Sequence, residues 1–173
     1  MRNHSDPGTS ISIRPSASWV FSNLWRILAF GFGSGLLRPA PGTWGTLLGW
    51  ALWAAVLQGR SDTVILAVLV LAFMLGCVAC ERAGRALGAP DHGGMVWDEI
   101  VAFWLVLWLA PQTLAAQAVA FVLFRLFDIA KPQPVRYFDS RLKGGFGVMF
   151  DDLIAAVYTL LVMAVLVTLG AFA

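Results

Sequence analysis

The sequence predicts an all-α polytopic membrane bundle with about four to five membrane segments and polar loops that carry a site on one face. Three observations lead there. Hydrophobic residues make up 59% of the 173-residue chain and charged residues 13%, about half the charge of a water-soluble domain. Apolar runs recur at 44–57, 63–80, 100–110, 112–127 and 153–173. The charges, Arg125 apart, fall outside these runs.

Taken in order, residues 1–18 are polar and predict a disordered N-terminal tail, leaving 19–173 as a single membrane-embedded domain. The apolar stretch 19–37 is broken by Arg26 and by glycines, and no A-x-A-type site follows it. It reads as an interfacial segment rather than a cleaved signal peptide. Several apolar runs fall short of the ~20 residues needed to span a ~30 Å hydrocarbon core. Helices over 97–110 and 112–130 are expected, with Pro111 between them as either a hairpin turn or a kink.

Charge placement separates those two possibilities. All acids except Asp6 and Asp62 lie within 81–99 or 128–152. A turn at Pro111 puts both segments on one side of the bilayer, together with every Lys and Arg except Arg60 and Arg125. That asymmetry is the one expected of a cytoplasmic face. It gives five membrane segments, the N-terminus inside and the C-terminus outside. A net charge of +2 without a Lys/Arg-rich run argues against nucleic acid as a partner. Cys77 and Cys80 form a C-x-x-C inside an apolar run, with no second pair or nearby His, and read as small buried hydrophobes.

The polar constellations carry the chemistry. Asp91, His92, Asp98, Glu99, Asp128, Asp139, Asp151 and Asp152 lie in the two polar segments. Helix capping accounts for one acid at each helix start. It does not account for the adjacent pairs Asp98–Glu99 and Asp151–Asp152, nor for Asp128 at a helix end, where the dipole disfavours it. Acids at the edge of hydrocarbon are costly and point to function. Clustered carboxylates without soft donors suit a hard cation. One or two Mg²⁺ ions are expected, held among Asp98, Glu99, Asp128, Asp151 and Asp152.

Arg125 is embedded in FVLFRLFDIA and needs an anionic neighbour such as Asp128. Lys131 and Arg136 sit in K-P-Q-P-V-R, where two prolines restrict the backbone, and a fixed Arg can bind phosphate bidentately. Gly144 and Gly145, with Gly147, read as a loop whose amides approach a phosphate, or else as a flexible loop or a close helix contact. P-G-T-W-G-T at 41–46 has no titratable group and reads as loop geometry, helix initiation or a lipid-headgroup contact. His92 is either a general acid for a leaving alkoxide or a local capping residue.

Four motifs occur in order: P-G-T-W-G-T (41–46), D-H-G-G-M-V-W-D-E (91–99), F-R-L-F-D-I-A-K-P-Q-P-V-R (124–136) and G-G-F-G-V-M-F-D-D (144–152). Together they resemble the phosphatidylglycerophosphatase A family, from about residue 30 to residue 167. The resemblance implies Mg²⁺-dependent hydrolysis of phosphatidylglycerophosphate to phosphatidylglycerol at the bacterial inner membrane. It assigns the functional positions to Asp98, Glu99, Arg125, Asp128, Asp151 and Asp152, with Lys131 and Arg136 in the K-P-x-P-x-R element. The partners it implies are the lipid substrate and the membrane; oligomeric state stays open.

Attack by water activated at the cation is expected, because neither a C-x5-R loop nor a D-x-D-x-T/V motif is present. A CDP-alcohol phosphotransferase is the alternative enzyme, but its D-x2-D-G-x2-A-R-x8-G-x3-D-x3-D signature does not occur. A small cation transporter is the non-enzyme alternative. Acids at helix ends on one side favour surface chemistry over a transmembrane path.

Overall fold

Helices form where the apolar runs predict them, and packing carries several beyond the apolar limits. A computed structural model describes residues 15–130 and 144–172, and every regular element among them is helical. Two short helices, α1 (Ala17–Phe21) and α2 (Leu24–Ala29), lead into a 3-10 turn at Gly31–Leu36. Ser16 and Asn23 start them by accepting the Trp19 and Trp25 amides. Helix α3 (Pro41–Leu52) opens on Pro41, whose fixed φ suits a first helical position, and runs on through a π turn at Trp53–Leu57. Then come α4 (Asp62–Leu87), α5 (Trp97–Leu109), α6 (Leu114–Ala130) and α7 (Gly144–Thr168).

Helix α5 is the core of the bundle, in contact with α3, α4, α6 and α7. Ile100, Val101, Ala102 and Phe103, four consecutive positions covering all sides of the helix, are each at most 2% exposed. Small residues allow its neighbours to come close. A methyl group on Gly45 would collide with Val96, and one on Gly76 with Met149 and Trp97. Indole N–H groups tie the layers together: Trp104 donates to the Gly49 carbonyl at 2.8 Å and Trp97 to the Ala72 carbonyl at 2.9 Å.

Pro111 marks a turn and not a kink. Helix α5 stops at Leu109, and the Gln112 side chain donates to the Leu107 and Ala110 carbonyls that the stop leaves free. Helix α6 then packs back on α5. At the same end of the bundle Trp108 donates to Asp62, at the start of α4. The end of α4, the start of α5, the end of α6 and the start of α7 therefore gather at the opposite pole.

Two expectations need correction. The last helix begins at Gly144 and not at residue 153, so G-G-F-G-V-M-F-D-D is helix rather than loop followed by helix start. Gly145, Gly147 and Val148 are buried, so packing outweighs the ~1 kcal/mol that each glycine costs a helix. The boundary expected at residue 18 also shifts, since Ala17 and Ser18 lie in α1. Cys77 is half-buried, Cys80 is fully buried, and neither is bridged.

The exterior is apolar where it meets the surroundings. Leu66, Val70 and Met74 on α4, Val122 and Leu126 on α6, and Leu161 and Val165 on α7 are all exposed. Helices α4 and α7 are long and apolar enough to cross a membrane by length and composition. Helices α3, α5 and α6 are shorter.

Candidate functional site

The site is assembled at the pole where four helix ends meet. Trp97 opens α5 and is anchored by its bond to Ala72 and by edge contacts to Trp104 and Phe32. The next two residues are Asp98 and Glu99. Helix α7 contributes Asp151 and Asp152, 4% and 5% exposed and two turns inside the helix. Helix α6 contributes Arg125 and Asp128 from its last turns, and the loop before α5 contributes Asp91. These acids line one cleft of about 190 Å³. Asp98, Glu99 and Asp152 come closest, each with an oxygen within 4.8 Å of the others.

The electrostatics of this set are demanding. Asp98 Oδ1 and Glu99 Oε2 are buried without a hydrogen-bond partner. Desolvated carboxylates this close repel one another unless protons or a cation intervene. The donor set is all oxygen, and the described residues include no thiol or imidazole on the cleft wall. That donor set suits a hard divalent cation such as Mg²⁺.

Arg125 meets the anion its apolar setting calls for. Its guanidinium lies 2.6 Å from Asp128 Oδ2 and 3.6 Å from Glu99 Oε1, and it donates to the Thr46 hydroxyl at 3.5 Å. Thr46 in turn donates to the Gly42 carbonyl. A side chain at Gly42 would strike both the Glu99 carboxylate and the Arg125 guanidinium. P-G-T-W-G-T thus starts a helix and also makes room for this ion pair. No titratable group signalled the second role; only the glycines at 42, 45 and 49, spaced for close helix approach, hint at it.

Of the readings open for Gly144 and Gly145, the described residues show the close helix contact. The Gly145 amide donates to Glu81 at 2.8 Å, and a Cβ there would strike the Cys77 carbonyl oxygen. Gly144, at φ +76°, lies against the same Glu81. Gly144 and Gly145 thus let α7 pack closely on α4. Helix-start capping fails for Asp151 and Asp152, since their own amides lie past the first turn. His92 accepts the Gly94 amide on Nδ1 at 3.0 Å and rests 5.9 Å from the Phe30 ring, and it is not among the residues lining the cleft. Asp91, which the sequence offered without a specific role, lies on the cleft wall. Lys131, Arg136 and Asp139 lie outside the described residues.

Comparison with known proteins agrees with the family resemblance. The family described as Phosphatidylglycerophosphatase A matches residues 27–167. A protein of Haemophilus influenzae named Phosphatidylglycerophosphatase A is 48% identical over 139 residues, 79% of this chain and 85% of that protein. A protein of the same name from Escherichia coli is 39% identical over 140 residues, 79% of each chain. A Bacteroides thetaiotaomicron protein, named provisionally as a phosphatidylinositol-3-phosphatase, is 37% identical over 145 residues, 80% of this chain and 91% of that one. No solved structure matches. The chain belongs to the phosphatidylglycerophosphatase A family.

Proposed function

We propose that the chain is a phosphoric monoester hydrolase that converts phosphatidylglycerophosphate to phosphatidylglycerol and phosphate, with Mg²⁺ held by Asp98, Glu99 and Asp152. Family membership supports the activity. The observation that carries the site is the convergence of those three carboxylates in one buried cleft, with Asp91, Asp128 and Asp151 on its walls. When bound, the cation supplies charge neutralisation at the phosphoryl oxygens and a more acidic water.

The chain's own groups do the rest. Arg125, fixed by Asp128 and Glu99, holds positive charge beside the cleft, where charge grows on the transferring phosphoryl group. Lys131 and Arg136 remain in the proposal as further phosphate ligands. Water attacks phosphorus, the bond to the glycerol oxygen breaks, and the departing alkoxide takes a proton. The carboxylates on the wall are nearest to accept the water's proton. His92 stays a candidate proton donor through Nε2, which carries the hydrogen in the neutral ring when Nδ1 accepts.

The proposed setting is the bacterial inner membrane, with five membrane segments and the site on the cytoplasmic side. The apolar exterior and the basic residues near the site pole support this arrangement. The substrate assignment is tested by phosphate release from phosphatidylglycerophosphate and from phosphatidylinositol 3-phosphate, using protein purified in detergent. Faster release from the first lipid is expected. Release from the second alone would reassign the substrate.

A further inference from the structure

The acidic cleft has room for about six waters at ~30 Å³ each, enough for a phosphoryl group and its immediate ligands. The rest of a lipid headgroup needs adjoining space, and the same pole provides it. A groove of about 720 Å³ shares Asp91, Val148 and Asp151 with the cleft and extends to Glu81 and Arg85 of α4. A hollow of about 380 Å³ shares Glu81 and Arg85 with that groove and reaches Val78 and Phe146. The three form one track from exposed apolar side chains to the carboxylates. Its position along α4 is informative. Exposed apolar residues run from Val64 to Val78, and the polar sequence of Glu81, Arg82 and Arg85 begins there. The groove therefore lies at the level where an acyl environment gives way to headgroups.

Arg85 is built for a fixed contact. Glu81 accepts the Gly145 amide at 2.8 Å and the Arg85 Nε at 2.6 Å, so the carboxylate is held from behind while it orients the guanidinium. Nε is spent on Glu81, and the two terminal nitrogens, on a side chain 80% exposed, suit a phosphate oxygen pair. Arg82 adds positive charge nearby and is stacked over Trp25 at 4.8 Å.

We propose that this track binds the glycerophosphodiester portion of the lipid, with Arg85 on the bridging phosphodiester and the acyl chains leaving past Val78 and Phe146. The proposal rests on the phosphomonoesterase reading of the acidic cleft. It makes Arg85 a specificity residue for lipids that carry a phosphodiester between the acyl chains and the terminal phosphate.

The test uses dioctanoyl phosphatidylglycerol, which has the phosphodiester and no monoester, titrated calorimetrically into detergent-solubilised full-length protein. Arg85→Ala is expected to weaken its binding by about tenfold, and Arg85→Lys by less. In turnover of phosphatidylglycerophosphate, Arg85→Ala raises KM by a similar factor and leaves kcat within about twofold. Dioctanoylglycerol, without the phosphodiester, binds wild type and variants alike. Unchanged affinity in Arg85→Ala, or equal weakening for dioctanoylglycerol, overturns the proposal. Absence of phosphate release by the wild type would sink the functional reading alone, because the calorimetry decides the track by itself.

Discussion

Arg125 shows how much one residue can reveal. A guanidinium within an apolar helix demands a nearby anion, and Asp128 one turn on supplies it. That partner was legible because it is local. The second partner, Glu99, and the space left by Gly42 were not, since they arrive from helices far away in the chain. Two outcomes follow at this scale. Arg125→Ala strands two largely buried carboxylates and is expected to cost about 3 kcal/mol, read as a lowered unfolding midpoint in detergent. Gly42→Ala forces a methyl group against Glu99 and Arg125. Its expected effect is a loss of about tenfold or more in phosphate release, because displaced catalytic geometry is costly. Full activity in Gly42→Ala would remove the α3 contact from the account.

At the scale of elements, local propensity misled where packing prevailed. Three glycines in four residues read as loop, yet they lie in α7, where Gly145 lets the backbone meet Cys77 and Glu81 of α4 and Gly144 lies against the same Glu81. Helix α4 continues past Cys80 for a related reason: Ala83, Gly84 and Leu87 keep its inner face buried through the polar stretch. Gly145→Ala is expected to push the two helices apart and cost about 1–3 kcal/mol, measured by thermal unfolding. The Pro111 turn was legible from charge placement, but its fastening was not. Gln112 supplies that by donating to two carbonyls at the end of α5. Gln112→Ala should lower stability by about 1 kcal/mol, with activity retained because the turn lies at the pole away from the site.

The whole molecule has a polar end and an apolar flank. The sparse charge made a helical bundle with an apolar exterior legible, and the distribution of acids made their convergence on one cleft legible. The depth of Asp151 and Asp152 was hidden, because a helix start is inferred from local residues and this one is fixed by contacts with α4. The proposed topology is open to thiol labelling. With Cys77 and Cys80 replaced by alanine, Gln58→Cys lies at the pole opposite the site and Ala86→Cys at the site pole, and both positions are exposed. An impermeant reagent applied to intact cells should label the first and spare the second. Labelling of both from one side would contradict the arrangement.

The central claim is that Asp98, Glu99 and Asp152 form a cation-dependent phosphatase site. The most direct measurement is phosphate release from phosphatidylglycerophosphate by purified protein, with Mg²⁺ or with EDTA, for wild type, Asp98→Asn and Asp152→Asn. The account predicts release that EDTA abolishes and Mg²⁺ restores, and a loss of about a hundredfold or more in either folded variant. Release that persists in EDTA, or that survives both substitutions, would contradict it.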